Sequence, residues 1–317
     1  MNINSKGSAL LHKVEVRFHK QNRLNSKYLI IKRECGSSPL GLFAYYITTL
    51  GWIEYAIRNG MIPVVDMKNY YNTFHQKGEV GKINTWELFF EQPCNISLEE
   101  ALKSNQARYV WGDIPEYQPN ESLDFLYNDR IVKYYHQLAK KYIRFQPNVF
   151  EILKNKEEKI LGRDKGERIL GVLARGTDYT SLKPYFHPIQ PDIEALSKAI
   201  DEYSRRFSCG KIYVATEDME VLEKLSAIYG ERLLYTDQVR VKKVSGYLNH
   251  HKEFSERDAF ERGIEYLTSI YLLSRCNGLV AGRTSGTVGA CLLAEDYEFK
   301  HVFSLGRYGI EDIMLQH

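Results

Sequence analysis

Residues 175–178 read Arg-Gly-Thr-Asp, so a guanidinium, a residue with no side chain, a hydroxyl and a carboxylate follow one another. They end the apolar run Ile169 to Ala174, which is flanked by charge. Such a run predicts a buried parallel strand, and open α/β sheets bind ligands at the carboxyl ends of their strands. Arg175 offers a planar fork of donors suited to a diphosphate. A plainer reading stays open, in which a structural turn pairs Arg175 with Asp178. A polar loop containing Lys183 then leads to Phe186-His187-Pro188-Ile189, with His187 nine residues beyond Asp178.

A second set of chemistry-bearing residues follows the short apolar run at 279–281. Gly282-Arg283-Thr284-Ser285-Gly286-Thr287-Val288-Gly289 reads as strand, glycine loop and helix. Main-chain amides at such a helix start can hold phosphate oxygens. Arg283 adds charge, and Thr284, Ser285 and Thr287 add hydroxyls. The segment is neither Gly-x-Gly-x-x-Gly nor a P-loop, so dinucleotide and P-loop readings lose support. Thr216-Glu217-Asp218, after Lys211 to Ala215, is either a ligand-reading carboxylate pair or a helix N-cap with an acidic first turn. Near the N-terminus, Cys35-Gly36-Ser37-Ser38 is a small-residue loop between a strand and a helix, the arrangement that presents amides to an anion. No Asp-x-Asp occurs, so a cation-held sugar diphosphate is not expected. His250-His251 are adjacent and do not face one site on a helix. No metal and no cofactor are expected.

The elements that must position these groups alternate. Strands are expected at 28–32, 62–65, 169–174, 211–215, 232–235, 279–281 and 301–304. Helices are expected at 42–58, 128–145, 192–207, 219–229 and 257–276, with another after Gly289. Residues 98–165 read as helical and charged, and 154–167 as a solvated connector. The expected fold class is α/β, with two Rossmann-like, doubly wound domains facing a cleft. Residues 1–160 would form one domain and 161–317 the other. Trp86, in Thr85-Trp86-Glu87, reads as packing.

The 317 residues carry a formal charge of +3, which is too near neutral to argue for nucleic acid. Hydrophobic content of 44% and charged content of 26% are ordinary for a globular chain. The 23 Tyr suit carbohydrate faces, although buried aromatics mostly serve a core. No signal-like apolar region opens the sequence, and no apolar run reaches membrane-spanning length. The scattered Cys35, Cys94, Cys209, Cys276 and Cys291 suit free thiols in a reducing cytoplasm. Any membrane contact would be peripheral.

Leu173 to Asp178 and Phe186 to Ile189 together resemble the nucleotide-sugar motif of the α1,6-/α1,2-/protein O-fucosyltransferase superfamily. There a strand runs into His-x-Arg-Arg-x-Asp, and in the α1,6 branch Phe-His-Pro-Ile follows at the same distance. Ser285 to Val288 is similar to the family's Ser-Ser-Gln-Val, and Thr216 to Asp218 to its Ala-Thr-Asp-Asp. Glu265 and Ser269 are weaker carry-overs of an acidic position near the nucleotide. Leu173 replaces the motif's His, Gly176 its second Arg, and Lys183 the proposed catalytic Glu. The resemblance implies a GT-B, inverting, metal-independent transfer of fucose from GDP-fucose to a glycan acceptor such as a surface polysaccharide, with residues 1–160 on the acceptor side and 161–317 binding the nucleotide sugar. Arg175, Asp178, His187 and Lys183 are the candidate catalytic residues: Arg175 from the motif, Lys183 at the place of the Glu, and Asp178 and His187 as the nearby bases, with a base from the first half as the alternative. Donor binding falls to Arg175, Gly176, Glu217, Asp218, Arg283, Thr284, Ser285, Gly286 and Thr287, with Gly36, Ser37 and Ser38 from the first half. A different sugar donor and a catalytically inactive, nucleotide-sugar-binding relative remain as alternatives.

Overall fold

The computed structural model describes residues 26–33, 40–111, 117–162, 166–242 and 257–310. The chain divides into two compact units, residues 1–119 with 137–146, and residues 120–136 with 147–317.

In the first unit, β1 (Tyr28–Lys32), α1 (Leu42–Arg58) and β2 (Ile62–Val65) form where the apolar pattern expects them. Gly60, at a φ of 65°, ends the α1 turn in the left-handed region that glycine tolerates. β1 and β2 pair in parallel, and α1 packs on both. A third strand, β3 (Ala107–Trp111), pairs in parallel on the other side of β1, giving the order β2-β1-β3. It lies in the stretch read as helical. Five residues give too little periodicity to separate strand from helix, and pairing with β1 decides. Trp86 is fully buried, its ring lies tilted against that of Phe90 with centroids 4.6 Å apart, and its Nε1 donates to the Glu91 carbonyl. At the carboxyl ends of β1 and β2, Lys32 Nζ meets Asp66 Oδ2 at 3.1 Å.

The helix α2 (Asp129–Tyr142) is amphipathic, as its three- and four-residue apolar spacing predicts. The second unit then runs α3 (Pro147–Leu161), β4 (Ile169–Leu173), α4 (Thr177–Leu182), α5 (Ile193–Arg206), β5 (Lys211–Ala215) and α6 (Met219–Tyr229). It continues through β6 (Leu233–Leu234), α7 (Ala259–Leu273), β7 (Gly278–Ala281), α8 (Ser285–Leu293) and β8 (Phe299–Val302). Its five strands are parallel in the order β6-β5-β4-β7-β8. Alternate side chains of a strand point to opposite faces. Leu170, Val172 and Val214 therefore join Leu196, Ile200, Leu222 and Leu225 of α5 and α6 on one face. On the other, a Cβ at Gly171 would touch Leu273 and Cys276 at the end of α7. The sheet is thus covered on both faces, as a doubly wound fold requires.

The connector reading of 154–167 fails over 154–161. These residues complete α3, whose Val149, Leu153 and Leu161 are buried and which packs against α7. Charge density there marks only the solvent face of an amphipathic helix. The division between units falls at 119 and around 137–146, whereas the sequence reading sets it at 160. At the start of β4, Ile169 N–H donates to Asn277 Oδ1, a residue 108 positions later.

Candidate functional site

β4 lies between β5 and β7, and the strand order reverses between β4 and β7. That reversal opens a crevice at their carboxyl ends, where sheets of this kind take ligands. The two loops singled out from sequence leave these two strands.

Arg175, Gly176 and Thr177 follow β4. Thr177 is buried and adopts a φ of 44°, a left-handed conformation that costs a non-glycine residue on the order of 1–3 kcal/mol. Two carboxylates from the end of β5 hold it there. Glu217 Oε1 accepts from the Gly176 N–H at 3.1 Å and from Thr177 Oγ1 at 3.0 Å. Its Oε2 pairs with Arg175 Nη1 at 3.1 Å, the two side chains being 18% and 12% exposed. Asp218 Oδ2 accepts from the Thr177 N–H at 3.0 Å, and its Oδ1 caps α6 by accepting from the Glu220 and Val221 N–H groups. Both carboxylates are therefore engaged in holding the β4 loop. Among the described side chains Arg175's ionic partner is Glu217, and the Asp178 side chain lies outside them.

Two departures from the motif follow from packing. A Cβ at Gly176 would lie 2.3 Å from Asp218 Oδ2 and 2.7 Å from Asp218 Cβ, so no arginine can stand there. Leu173 is buried, and its Cδ2 would come 3.2 Å from a Cβ at Gly286, so position 173 belongs to the core.

At the β7 edge, Thr284 is the N-cap of α8, its hydroxyl accepting from the Thr287 N–H at 3.1 Å. Thr287 Oγ1 donates to the Gly282 carbonyl. Both hydroxyls are buried and committed to the loop, leaving the N–H groups of Ser285 and Gly286 as the helix-start donors without an intrahelical acceptor. Arg283 donates from Nε to the Glu121 carbonyl at 2.8 Å. Among the described residues its two Nη groups have no protein partner. Burial, and then the Arg307 guanidinium, hold its pKa below the usual arginine value.

The loop between β4 and α5 is fixed against the C-terminal segment. Lys183 ends α4 at a φ of 46° and is exposed, and Phe186 adopts 67°. The Phe186 N–H donates to the Tyr308 carbonyl, the Tyr308 N–H to the His187 carbonyl, and the Ile189 N–H to the Gly306 carbonyl, all within 3.1 Å. His187 itself is exposed. Gln190 is buried and donates from Nε2 to the carbonyls of Pro188 and Arg283. Its Oε1 would fall 2.0 Å from a Cβ at Gly282, so that glycine makes room for the amide.

The structure thus brings Arg175 together with Glu217 and Asp218, and the 186–190 loop together with Arg283. It gives Glu265 to a bidentate pair with Arg257, and Ser269 to a hydrogen bond with Gln238. Gly36, Ser37, Ser38, His250 and His251 lie outside the described residues. Sequence reasoning missed Arg240, whose half-buried guanidinium donates to the carbonyls of Thr216, Thr236 and Gln238. It also missed Glu121, Gln190 and Arg307. Gln190 was findable, directly after the Phe-His-Pro-Ile run, whereas nothing local marks Glu121 or Arg307. Among the described residues no cluster of His, Cys, Asp and Glu could hold a metal ion, and no helix is long and apolar enough to cross a membrane.

No family model matches the chain, and no curated protein matches it either. Solved structures do. An α-1,6-fucosyltransferase, NodZ, co-crystallised with GDP superposes with a TM-score of 0.54 at 15% identity, covering 85% of this chain and 93% of that one. NodZ from Bradyrhizobium gives 0.53 at 15%, covering 85% and 94%. An Arabidopsis thaliana FUT1 mutant in complex with GDP gives 0.50 at 12%, covering 96% and 75%. The chain has the fold of these fucosyltransferases. It is an α/β chain of the GT-B class, with the strand-end loops described above on its second unit.

Proposed function

We propose that the chain is an inverting, metal-independent glycosyltransferase that moves fucose from GDP-fucose to a glycan acceptor. The observation that carries this is the placing of Arg175, Arg283 and the α8 amides on the two strand ends that flank the reversal in strand order. The fold shared with GDP-bound fucosyltransferases supports the choice of donor.

In the reaction the acceptor oxygen bonds to the donor's anomeric carbon from the face opposite the leaving group. The bond from that carbon to the β-phosphate oxygen breaks, and its electron pair stays on GDP. Guanidinium groups and main-chain amides stabilise the departing diphosphate, each such donor contributing about 3–4 kcal/mol. The acceptor proton goes to a base, for which Asp178 and His187 are the residues offered. Lys183 stands at the position of the family's Glu and supplies a charge, not a base. The second unit takes the donor and the first the acceptor, a surface polysaccharide or oligosaccharide made in the cytoplasm with at most peripheral membrane contact.

The Arg175–Glu217 pair and Lys183 favour a second reading, a binding-only relative with no turnover. Calorimetry with GDP, UDP, GDP-fucose and GDP-mannose, followed by chromatography of released GDP, separates the two. Transfer predicts binding of GDP-fucose, slow GDP release that persists in EDTA, and at least a hundredfold loss in Arg175→Ala. Binding without release supports the second reading. No binding of any GDP-sugar overturns both.

A further inference from the structure

Arg175 is half of an ion pair, and Gly176 has no space for a side chain. The β4 edge therefore brings little net positive charge to a diphosphate. Across the reversal in strand order, Arg283 keeps its two Nη groups without a protein partner among the described residues, and it is held in place from behind. Its Nε is fixed on the Glu121 carbonyl. The Glu121 carboxylate accepts from Arg307 Nη2 at 3.1 Å, and Arg307 Nη1 donates to the Phe186 carbonyl at 2.7 Å. The Arg307 guanidinium also lies 4.7 Å from the centroid of the Phe186 ring, within cation–π range. From the other side, the Gln190 amide joins the Arg283 carbonyl to that of Pro188.

We infer that Arg307 is a positioning residue, which with Glu121 fixes Arg283 against the 186–190 loop so that Arg283 carries the main charge toward the donor diphosphate. This deepens the GDP-sugar reading and rests on it. Two cations repel one another, and the single Glu121 carboxylate, bonded to Arg307, partly offsets that repulsion. Aligning a planar fork in advance removes an ordering cost from binding. Arg307 acts through Arg283 and touches no substrate.

The test compares GDP with guanosine, which lacks the phosphates, by calorimetry on the full chain. Arg283→Ala weakens GDP roughly ten- to hundredfold, the range for one charge-assisted hydrogen bond, and leaves guanosine unchanged. Arg307→Ala weakens GDP about three- to tenfold, again sparing guanosine, because Arg283 is misaligned rather than lost. Adding Arg307→Ala to Arg283→Ala costs nothing further. Glu121→Gln, which keeps shape and removes charge, reproduces the Arg307→Ala loss should that variant fold poorly. A merely structural role would weaken GDP and guanosine alike. An unchanged GDP-to-guanosine ratio in Arg307→Ala or Glu121→Gln overturns the inference while leaving the donor reading intact. Failure of the wild-type chain to bind GDP overturns the donor reading itself.

Discussion

Gly176 is where the packing of the site can be tested most sharply. In Gly176→Ala the new methyl group would meet Asp218 Oδ2 at 2.3 Å and Asp218 Cβ at 2.7 Å, so Asp218 must withdraw. Withdrawal breaks its bond from the Thr177 N–H and its cap on α6. The cap contributes about 1 kcal/mol, and a buried N–H left unpaired costs about 1–3 kcal/mol. The sum is about 2–4 kcal/mol, which for a unit of this size lowers the melting midpoint by on the order of 5–15 °C. Circular dichroism melts of a double-mutant cycle read the cause. Asp218→Gly alone loses the same cap and acceptor, and in that background Gly176→Ala adds less than about 0.5 kcal/mol. Full additivity of the two substitutions, or a Gly176→Ala midpoint within about 1 °C of wild type, would refute the claim that Asp218 fills the space beside residue 176.

Three further outcomes follow from titration and burial. Burial holds the His301 imidazole below its ordinary 6.5, against the opposing pull of Glu202. The unfolded chain then takes up a proton that the folded one resists, so stability is whole above that pH and falls as pH drops through it. His301→Phe flattens the acid side of a plot of melting temperature against pH. Burial pushes the Tyr229 phenol up to about 12, with Asp201 adding to the rise. The folded state keeps a proton that the unfolded chain loses near 10, so stability declines between about pH 10 and 12. Tyr229→Phe removes that decline, at a constant cost of about 1 kcal/mol for the lost hydrogen bonds, measured by urea unfolding across pH. In the first unit, Lys32→Met removes the cation from the fully buried Asp66 carboxylate, which keeps its hydrogen bonds from the Lys68 and Asn69 N–H groups and the Asn69 amide, and costs about 1–3 kcal/mol, read from the urea midpoint.

The second unit was legible because parallel strands buried on both faces write themselves as continuous apolar runs. Lys211 to Ala215 and Gly278 to Ala281 both end in polar loops that sequence alone could flag. β3 was not legible, since Ala107–Trp111 is short and takes its identity from pairing with β1. At the site, residue types survived better than partners. Arg175 and Glu217 were both singled out, yet nothing in their spacing says that they neutralise each other. Thr284 and Thr287 read as phosphate-facing hydroxyls and instead bond within their own loop, because a helix start must satisfy its own N–H groups first. The Glu121–Arg307 bond joins residues 186 positions apart, a separation at which composition and periodicity carry no signal.

The bond from the Ile169 N–H to Asn277 also bears on how the chain is made. The strand beginning at Ile169 is complete on a ribosome long before its neighbour beginning at Gly278 exists, because 108 residues separate the bonded pair. At ordinary synthesis rates that gap lasts about 5–20 s. Throughout it, one side of an apolar strand stands open to other nascent chains. Yield from expression should therefore improve with slower initiation, which spaces the nascent chains apart.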